Sequence, residues 1–118
     1  MHNLLTGAGW VSKRTPSDSA EAERNSLTLY EYDDDDAPVG VIRAITDKVT
    51  VTYLCDLFVT ETHRGRGLGR KLMERLLQHP DVAETTIVLI TAGAEEFYRK
   101  FNFQPRTAMV RKPDGQSS

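Results

Sequence analysis

The segment from Val59 to Leu77, VTETHRGRGLGRKLMERLL, changes character in its middle. A β-branched and apolar run leads into Arg64-Gly65-Arg66-Gly67-Leu68-Gly69. Beyond it Leu68, Leu72, Leu76 and Leu77 recur at helical spacing, with Met73 widening the apolar face. A strand, a glycine-rich turn and an amphipathic helix in direct succession set how the rest of the chain must be arranged. Gly65, Gly67 and Gly69 allow positive φ and close approach of the backbone to a ligand. The first turn of the helix aims its free N–H groups and the positive end of its dipole at that turn, which makes a seat for phosphate. Arg64, Arg66, Arg70 and Lys71 surround the seat with cations, and guanidinium groups hold phosphate in a bidentate way. The expectation is a pyrophosphate cradle. The plainer alternative is a β-to-α turn with a solvated basic face.

Two common cradles do not fit. A P-loop requires Gly-x-x-x-x-Gly-Lys-Ser/Thr, but Gly69 is followed by Arg70 and Lys71 with no hydroxyl for magnesium. A dinucleotide fingerprint requires Gly-x-Gly-x-x-Gly and an acidic residue about 20 positions further on, whereas the spacing here is Gly-x-Gly-x-Gly.

A length of 118 residues allows one domain with one core, spanning 1–118. The net charge of -2 argues against a nucleic-acid partner, since such domains carry a clear basic excess. Cys55 is the one cysteine, so no internal disulfide is expected and a reducing compartment is suited. The sequence shows neither an apolar run long enough to span a membrane nor a signal-peptide pattern, and the expectation is a cytoplasmic protein with no membrane partner. The run Asp33 to Asp36 reads as a solvated hairpin turn rather than a set of spaced ligands, so no metal is expected.

Met1 to Pro16 is weakly patterned, with Leu4, Leu5, Trp10 and Val11 available to cover a core or a site. Ser17 or Asp18 is placed to cap a short helix over Ala20 to Arg24. Leu27 to Tyr32 alternates as a half-buried strand does, with Leu27, Leu29 and Glu31 against Thr28, Tyr30 and Tyr32. Pro38 to Ile45 is the return strand, and Thr46-Asp47-Lys48 is the next tight turn. Val49 to Val59 alternates at first and then becomes almost wholly apolar, as a central strand covered on both faces does. Asp56 interrupts it and needs a partner, for which Arg43 or a backbone donor is available. The helix ends near Gln78-His79-Pro80, with His79 a solvated terminal residue, and Thr85 to Thr91 reads as a buried strand. Strand, helix, strand in that order implies a right-handed crossover and parallel pairing. The glycine-rich turn then falls at a strand's C-terminal edge, where open α/β sheets bind ligands. Ala94 to Phe101 forms a second helix with Phe97 and Tyr98 on its apolar side, ended by Asn102 in the left-handed conformation usual for Gly. Phe103 and the segment Thr107 to Arg111 read as a last short strand or strand pair before a polar, frayed tail at 113–118.

The spacing Arg64-x-x-Gly67-x-Gly69 resembles the acetyl-CoA loop, Gln/Arg-x-x-Gly-x-Gly/Ala, of the GNAT superfamily of N-acetyltransferases. Ala94-Glu95-Glu96-Phe97-Tyr98-Arg99-Lys100-Phe101-Asn102-Phe103 resembles that family's second signature, Ala-x-x-Phe/Leu-Tyr-x-x-x-Gly-Phe, with Asn102 in place of Gly. Asp56-Leu57-Phe58-Val59 resembles the strand ending that precedes the loop, and the resemblance covers Val39 to about Met109. It implies an α/β (α+β) GNAT fold: a mixed central sheet with antiparallel N-terminal strands, a splayed parallel pair at the acetyl-CoA cleft, and flanking helices. It implies acetyl-CoA as cosubstrate, with backbone groups of Leu57, Phe58 and Val59 on the pantetheine arm. Arg64, Gly65, Arg66, Gly67, Leu68, Gly69 and Arg70 would meet the pyrophosphate, and an amide such as that of Val59 the thioester carbonyl. Tyr98 matches the tyrosine that returns a proton to the leaving thiolate, a role its high reference pKa suits. The plainer reading of Tyr98 is a core aromatic whose hydroxyl is satisfied. Asp56 is the candidate to accept the amine's proton or to position a cationic acceptor.

Tyr53 to Val59 is similar to Tyr-Leu-Glu-Asp-Phe-Phe-Val in polyamine acetyltransferases, but Cys55 replaces the Glu, removing a carboxylate that polyamine specificity would use. Cys55 itself reads as a small buried hydrophobe, since no histidine lies nearby in sequence to activate it. Thr91 stands where the family often has an Asn contacting the cofactor. Residues 1–25 are shorter than the strand and helices with which the family normally starts, so the acceptor wall is open or is completed by a second subunit in a homodimer. The leading expectation is an acetyl-CoA-dependent N-acetyltransferase acting by direct attack of a primary amine, carried by a small molecule, a peptide or a protein. The alternative is a non-catalytic acyl-CoA-binding or sensing module. A nucleotide-binding regulatory domain would explain the glycines but not the Tyr98 signature.

Overall fold

The computed structural model describes residues 1–6 and 14–113. Its elements in chain order are α1 (His2–Thr6), α2 (Pro16–Arg24), β1 (Leu27–Tyr32), β2 (Pro38–Thr46), β3 (Val51–Val59), a 3-10 turn (Glu61–His63), α3 (Leu68–Gln78), β4 (Thr86–Val88) and α4 (Glu95–Arg99). The sheet runs β1-β2-β3-β4, antiparallel between the first three strands and parallel between β3 and β4. This is the mixed sheet with flanking helices that the sequence leads one to expect. Trp10, Val11 and the tail from 114 lie outside the described residues.

Local polar chemistry fixes most boundaries. α2 starts at Pro16 rather than Ala20 because Thr15, not Ser17 or Asp18, is its cap. The Thr15 hydroxyl accepts from Asp18 N at 3.0 Å, and the Asp18 carboxylate accepts from Thr15 N at 3.2 Å. The acidic run is a turn, in which Asp33 Oδ1 accepts from the amides of Asp35 and Ala37 at 2.8 and 2.9 Å. β3 begins at Val51 rather than Val49 because Asp47 Oδ1 draws the amides of Val49, Thr50 and Val51 into the preceding turn, at 2.9, 2.7 and 3.1 Å.

Two clusters cover the two faces of the sheet. Ile42, Ala44 and Leu54 pack with Leu72, Met73 and Leu76 of α3, while Val41 and Phe58 pack with Leu5 of α1 on the other side. α3 sits close because Gly40 has no Cβ: one built there would lie 3.1 Å from Leu72 Cδ1. A β-bulge at Cys55 decides which face carries what. Arg43 pairs with Asp56 but Ala44 with Leu54, so Cys55 is the extra residue. Leu54 therefore faces α3, whereas Asp56 and Phe58 face α1 and α2. Plain alternation along β3 would have put all three on one side. Asp56, 5% exposed, accepts from Arg43 Nε at 2.6 Å, and Arg43 Nη1 donates to Ser26 Oγ at 2.9 Å. The partner expected for Asp56 is thus Arg43.

Three expectations need correction. β4 ends at Val88, which is 43% exposed, so Thr85 to Thr91 is not a buried strand throughout; the α3 cluster covers only one of its faces. α4 is limited to Glu95–Arg99, with Asn102 left-handed (φ 69°) as anticipated. Thr107 to Arg111 is no strand in this chain, because no neighbouring strand supplies its ladder. Among the described residues, no helix is long and apolar enough to cross a membrane, and no group of His, Cys, Asp and Glu is placed to hold a metal.

Candidate functional site

β3 and β4 share only the rungs Val51 to Thr86, Thr52 to Ile87 and Tyr53 to Val88, although β3 continues to Val59. The strands then part, leaving an opening. Thr60 N donates to Val39 O at 2.8 Å, which makes that pair hydrogen-bonded and fixes the alternation before it. The backbone groups of Phe58 turn to Val41 in β2. Those of Leu57 and Val59 turn into the opening. Of the three residues expected on a pantetheine arm, two present their backbone to the cleft.

The cleft, about 270 Å³, continues from Val59 to the start of α3 and is lined by Val59, His63, Arg64, Gly65, Gly67, Leu68, Gly69, Arg70 and Phe97. Gly65 and Gly67 both have φ of 78° and face open space, a conformation that a side chain would strain. Gly69 differs from the expectation: it is helical, and a Cβ there would sit 3.7 Å from Phe97 Cζ, so its φ needs no glycine. The first backbone bond of α3 runs from Lys71 N to Gly67 O at 3.0 Å, and no side chain caps the helix. The N–H groups of Leu68, Gly69 and Arg70 therefore have no acceptor among the described residues and point at the turn.

The cations are less uniform than the sequence suggests. Arg64 Nε donates to Val59 O at 3.0 Å, and its guanidinium lies 5.5 Å over the Phe58 ring. Arg70 pairs with Glu74 at 3.3 Å. Lys71 is not part of the seat: it reaches away to Glu31 at 2.9 Å, a buried carboxylate also held by Arg75. Arg66 pairs with no described residue.

Tyr98 stands one residue beyond the cleft-lining Phe97. Its ring meets Phe97 edge-on at 5.2 Å and Phe103 at 5.7 Å, but its hydroxyl bonds to none of the described residues, unlike that of a satisfied core tyrosine. Burial pushes its pKa up. Asp56 is set apart by the bulge, on the face opposite α3, with Oδ2 taken by Arg43 and Oδ1 accepting from none of the described residues. Cys55 beside it is half-buried, and burial raises its pKa too, as suits a small hydrophobe rather than a thiolate. Thr91 is half-buried past the end of β4 and makes no hydrogen bond to the described residues. Two lining residues escaped the sequence reading. Phe97 stands in the sequence as a position of the second signature and of an apolar helix face, and neither gives it a place in the cleft. His63, tied through Nδ1 to the hydroxyls of Thr60 and Thr62 at 3.0 Å each, carried none beyond its place before Arg64.

A helix N-terminus with free donors, set where a parallel pair splays, is the arrangement in which open α/β sheets place phosphate-bearing ligands. The Acetyltransferase (GNAT) domain family matches residues 25–105, and the chain belongs to that family. The fold is similar to that of a protein from Xanthomonas campestris assigned to the GNAT family, with a TM-score of 0.85 and 29% identity over 97% of this chain and 83% of that one. A GNAT family acetyltransferase from Streptococcus pneumoniae superposes with a TM-score of 0.75 and 27% identity, covering 92% of this chain and 84% of that one. The uncharacterised N-acetyltransferase ycf52 of Porphyra purpurea is 24% identical over 98% of this chain, which spans 66% of its length.

Proposed function

We propose that the chain is an acetyl-CoA-dependent N-acetyltransferase that acetylates a primary amine by direct attack, in the cytoplasm. The observation that carries this reading is the cleft between Val59, whose backbone turns inward, and the start of α3, where three N–H groups meet no described acceptor. Left-handed Gly65 and Gly67 with no Cβ, and donors with no acceptor, fit a pyrophosphate. Gly65 to Arg70 would hold it, with Arg66 free to add charge and Arg64 able to join through its Nη groups. Acetyl-CoA supplies an activated acyl group as a thioester. Leu57 and Val59 would bond its arm as an added strand does, and the Val59 N–H would face the charge that develops on the thioester oxygen. As the amine's C–N bond forms and the C–S bond breaks, Tyr98 would donate its proton to the departing sulfur, and a half-buried phenol whose pKa burial pushes up suits that role. Asp56 Oδ1 would accept the amine's proton through water or hold a cationic acceptor, while Arg43 fixes the carboxylate.

The Arg43 ion pair also supports a second reading, an acyl-CoA-binding module without turnover, because it commits one Asp56 oxygen to structure. Release of free thiol from acetyl-CoA, measured with a panel of small amines, polyamines and peptides beside cofactor affinity, separates the two. Amine-dependent release is expected. Tight binding with no release for any acceptor would favour the module, and absence of binding would overturn both.

A further inference from the structure

We propose that His63 is a proton-linked ligand of the anion that enters the cleft, so that the affinity for CoA rises as the pH falls. The inference rests on reading that cleft as a CoA site. His63 belongs to the 3-10 turn between β3 and α3, and the turn is tied down at each step. Thr60 N donates to Val39 O of β2 at 2.8 Å, and His63 N donates to Thr60 O at 3.0 Å. The ring is held as well, because Nδ1 lies 3.0 Å from the hydroxyls of both Thr60 and Thr62. The two nitrogens of an imidazole point in nearly opposite directions. Holding Nδ1 against the threonines therefore turns Nε2 away from them, and Nε2 bonds to none of the described residues. His63 is half-buried and lines the cleft with Gly65, Gly67 and the first turn of α3, whose N–H groups meet no described acceptor.

The two hydroxyls suit the ring in either charge state. A hydroxyl rotates its proton to donate or to accept, so the threonines serve a bare Nδ1 as donors and a protonated one as acceptors. With the hydroxyls donating, the neutral ring carries its proton on Nε2; the charged ring carries one on each nitrogen. Nε2 donates outward in both states. Its charge is then decided by what it meets. Arg64 and Arg70 line the same cleft, β3 and α4 bring Val59 and Phe97 to it, and none of the described carboxylates lines it. Glu61 on the turn, Glu74 on α3, and Glu95 and Glu96 on α4 are all exposed, with Glu74 paired to Arg70 and Glu96 to Arg99. An imidazolium therefore finds no opposite charge inside the cleft until an anion enters. A phosphate oxygen at Nε2 favours the charged ring, so binding takes up a proton. Affinity rises as the pH falls, and the rise ends once the ring is charged in the free chain as well.

Dephospho-CoA is the probe, because it lacks the phosphate monoester whose second pKa, near about 6, would add a titration of the ligand's own. Calorimetry from about pH 6 to 8.5, where imidazole changes charge, is expected to show affinity for the wild type rising about fivefold to tenfold toward the acid end. Runs in buffers of different ionisation enthalpy should show net proton uptake. His63→Gln keeps an outward N–H in place of Nε2 but carries no titrating charge. It should match the wild type within about twofold at the alkaline end and show neither the rise nor the uptake. A rise and an uptake that persist in His63→Gln overturn the proposal, and so does a wild type whose affinity does not change with pH. A His63→Gln variant weakened equally at every pH also overturns it, since His63 would then only shape the turn. A wild type that binds neither dephospho-CoA nor CoA at any pH would instead overturn the reading of the cleft, and the proposal with it.

Discussion

Tyr98 and Arg64 show how much of this site rests on single side chains. Tyr98 is half-buried and its hydroxyl bonds to none of the described residues, so Tyr98→Phe removes one proton donor and little packing. The expected outcome is a fall in kcat of about 100-fold or more, the usual contribution of a positioned acid, with acetyl-CoA affinity unchanged by calorimetry. An equal fall in affinity would make Tyr98 a structural residue. Arg64 bonds Val59 O, the group a pantetheine arm would need, through Nε, and its Nη groups are left for a phosphate. Arg64→Ala should weaken CoA by about tenfold, the loss of one charge-assisted bond, while leaving pantetheine, which has no phosphate, bound as well or better. Parallel loss of both ligands would show that Arg64 only shapes the turn.

At the level of elements, the contact between β2 and α3 sets where the cradle lies. Gly40→Ala would push a methyl to 3.1 Å from Leu72 Cδ1 and 3.6 Å from Val59 Cγ2, at the junction of sheet, helix and cleft. A loss of about 1–3 kcal/mol is expected by urea denaturation, with weaker CoA binding in the same variant, because the helix start must shift with its first turn. Loss of stability without loss of affinity would mean that α3 adjusts around the methyl. α3 was legible from the sequence since its glycine start, apolar stripe and proline stop all lie within the segment itself. Thr85 to Thr91 and Thr107 to Arg111 were misread for the opposite reason: their composition suits strands, but a strand also needs a neighbour. The neighbour of β4 leaves after Val88, and Thr107 to Arg111 has none among the described residues.

For the molecule as a whole, pH acts through groups that the fold keeps in one state. Burial raises the pKa of Tyr30 and Tyr98, helped at Tyr30 by its bond to Glu23 at 2.8 Å. Above the ordinary tyrosine value of about 10, the unfolded chain loses these protons before the folded one does, so stability should be flat from neutrality and fall beyond that pH. Asp47 sets the acid limb: its bonds from Thr50, Val49 and Val51 hold its pKa down, so its contribution is present above the usual carboxylate range near 4 and is lost below it. Urea midpoints measured from pH 3 to 11 test both limbs, and a midpoint that rises above pH 10 would contradict the first. The sequence by itself determined the family pattern, the glycine turn, α3, the first two strands and the residue types of the cradle, because each is written in local spacing. Only the tertiary structure decided that Cys55 is a bulge that carries Asp56 to Arg43 on the far face. Likewise it alone turned Leu57 and Val59 into the cleft and Lys71 away from it. Those outcomes depend on register and on partners distant in sequence, which no local pattern encodes.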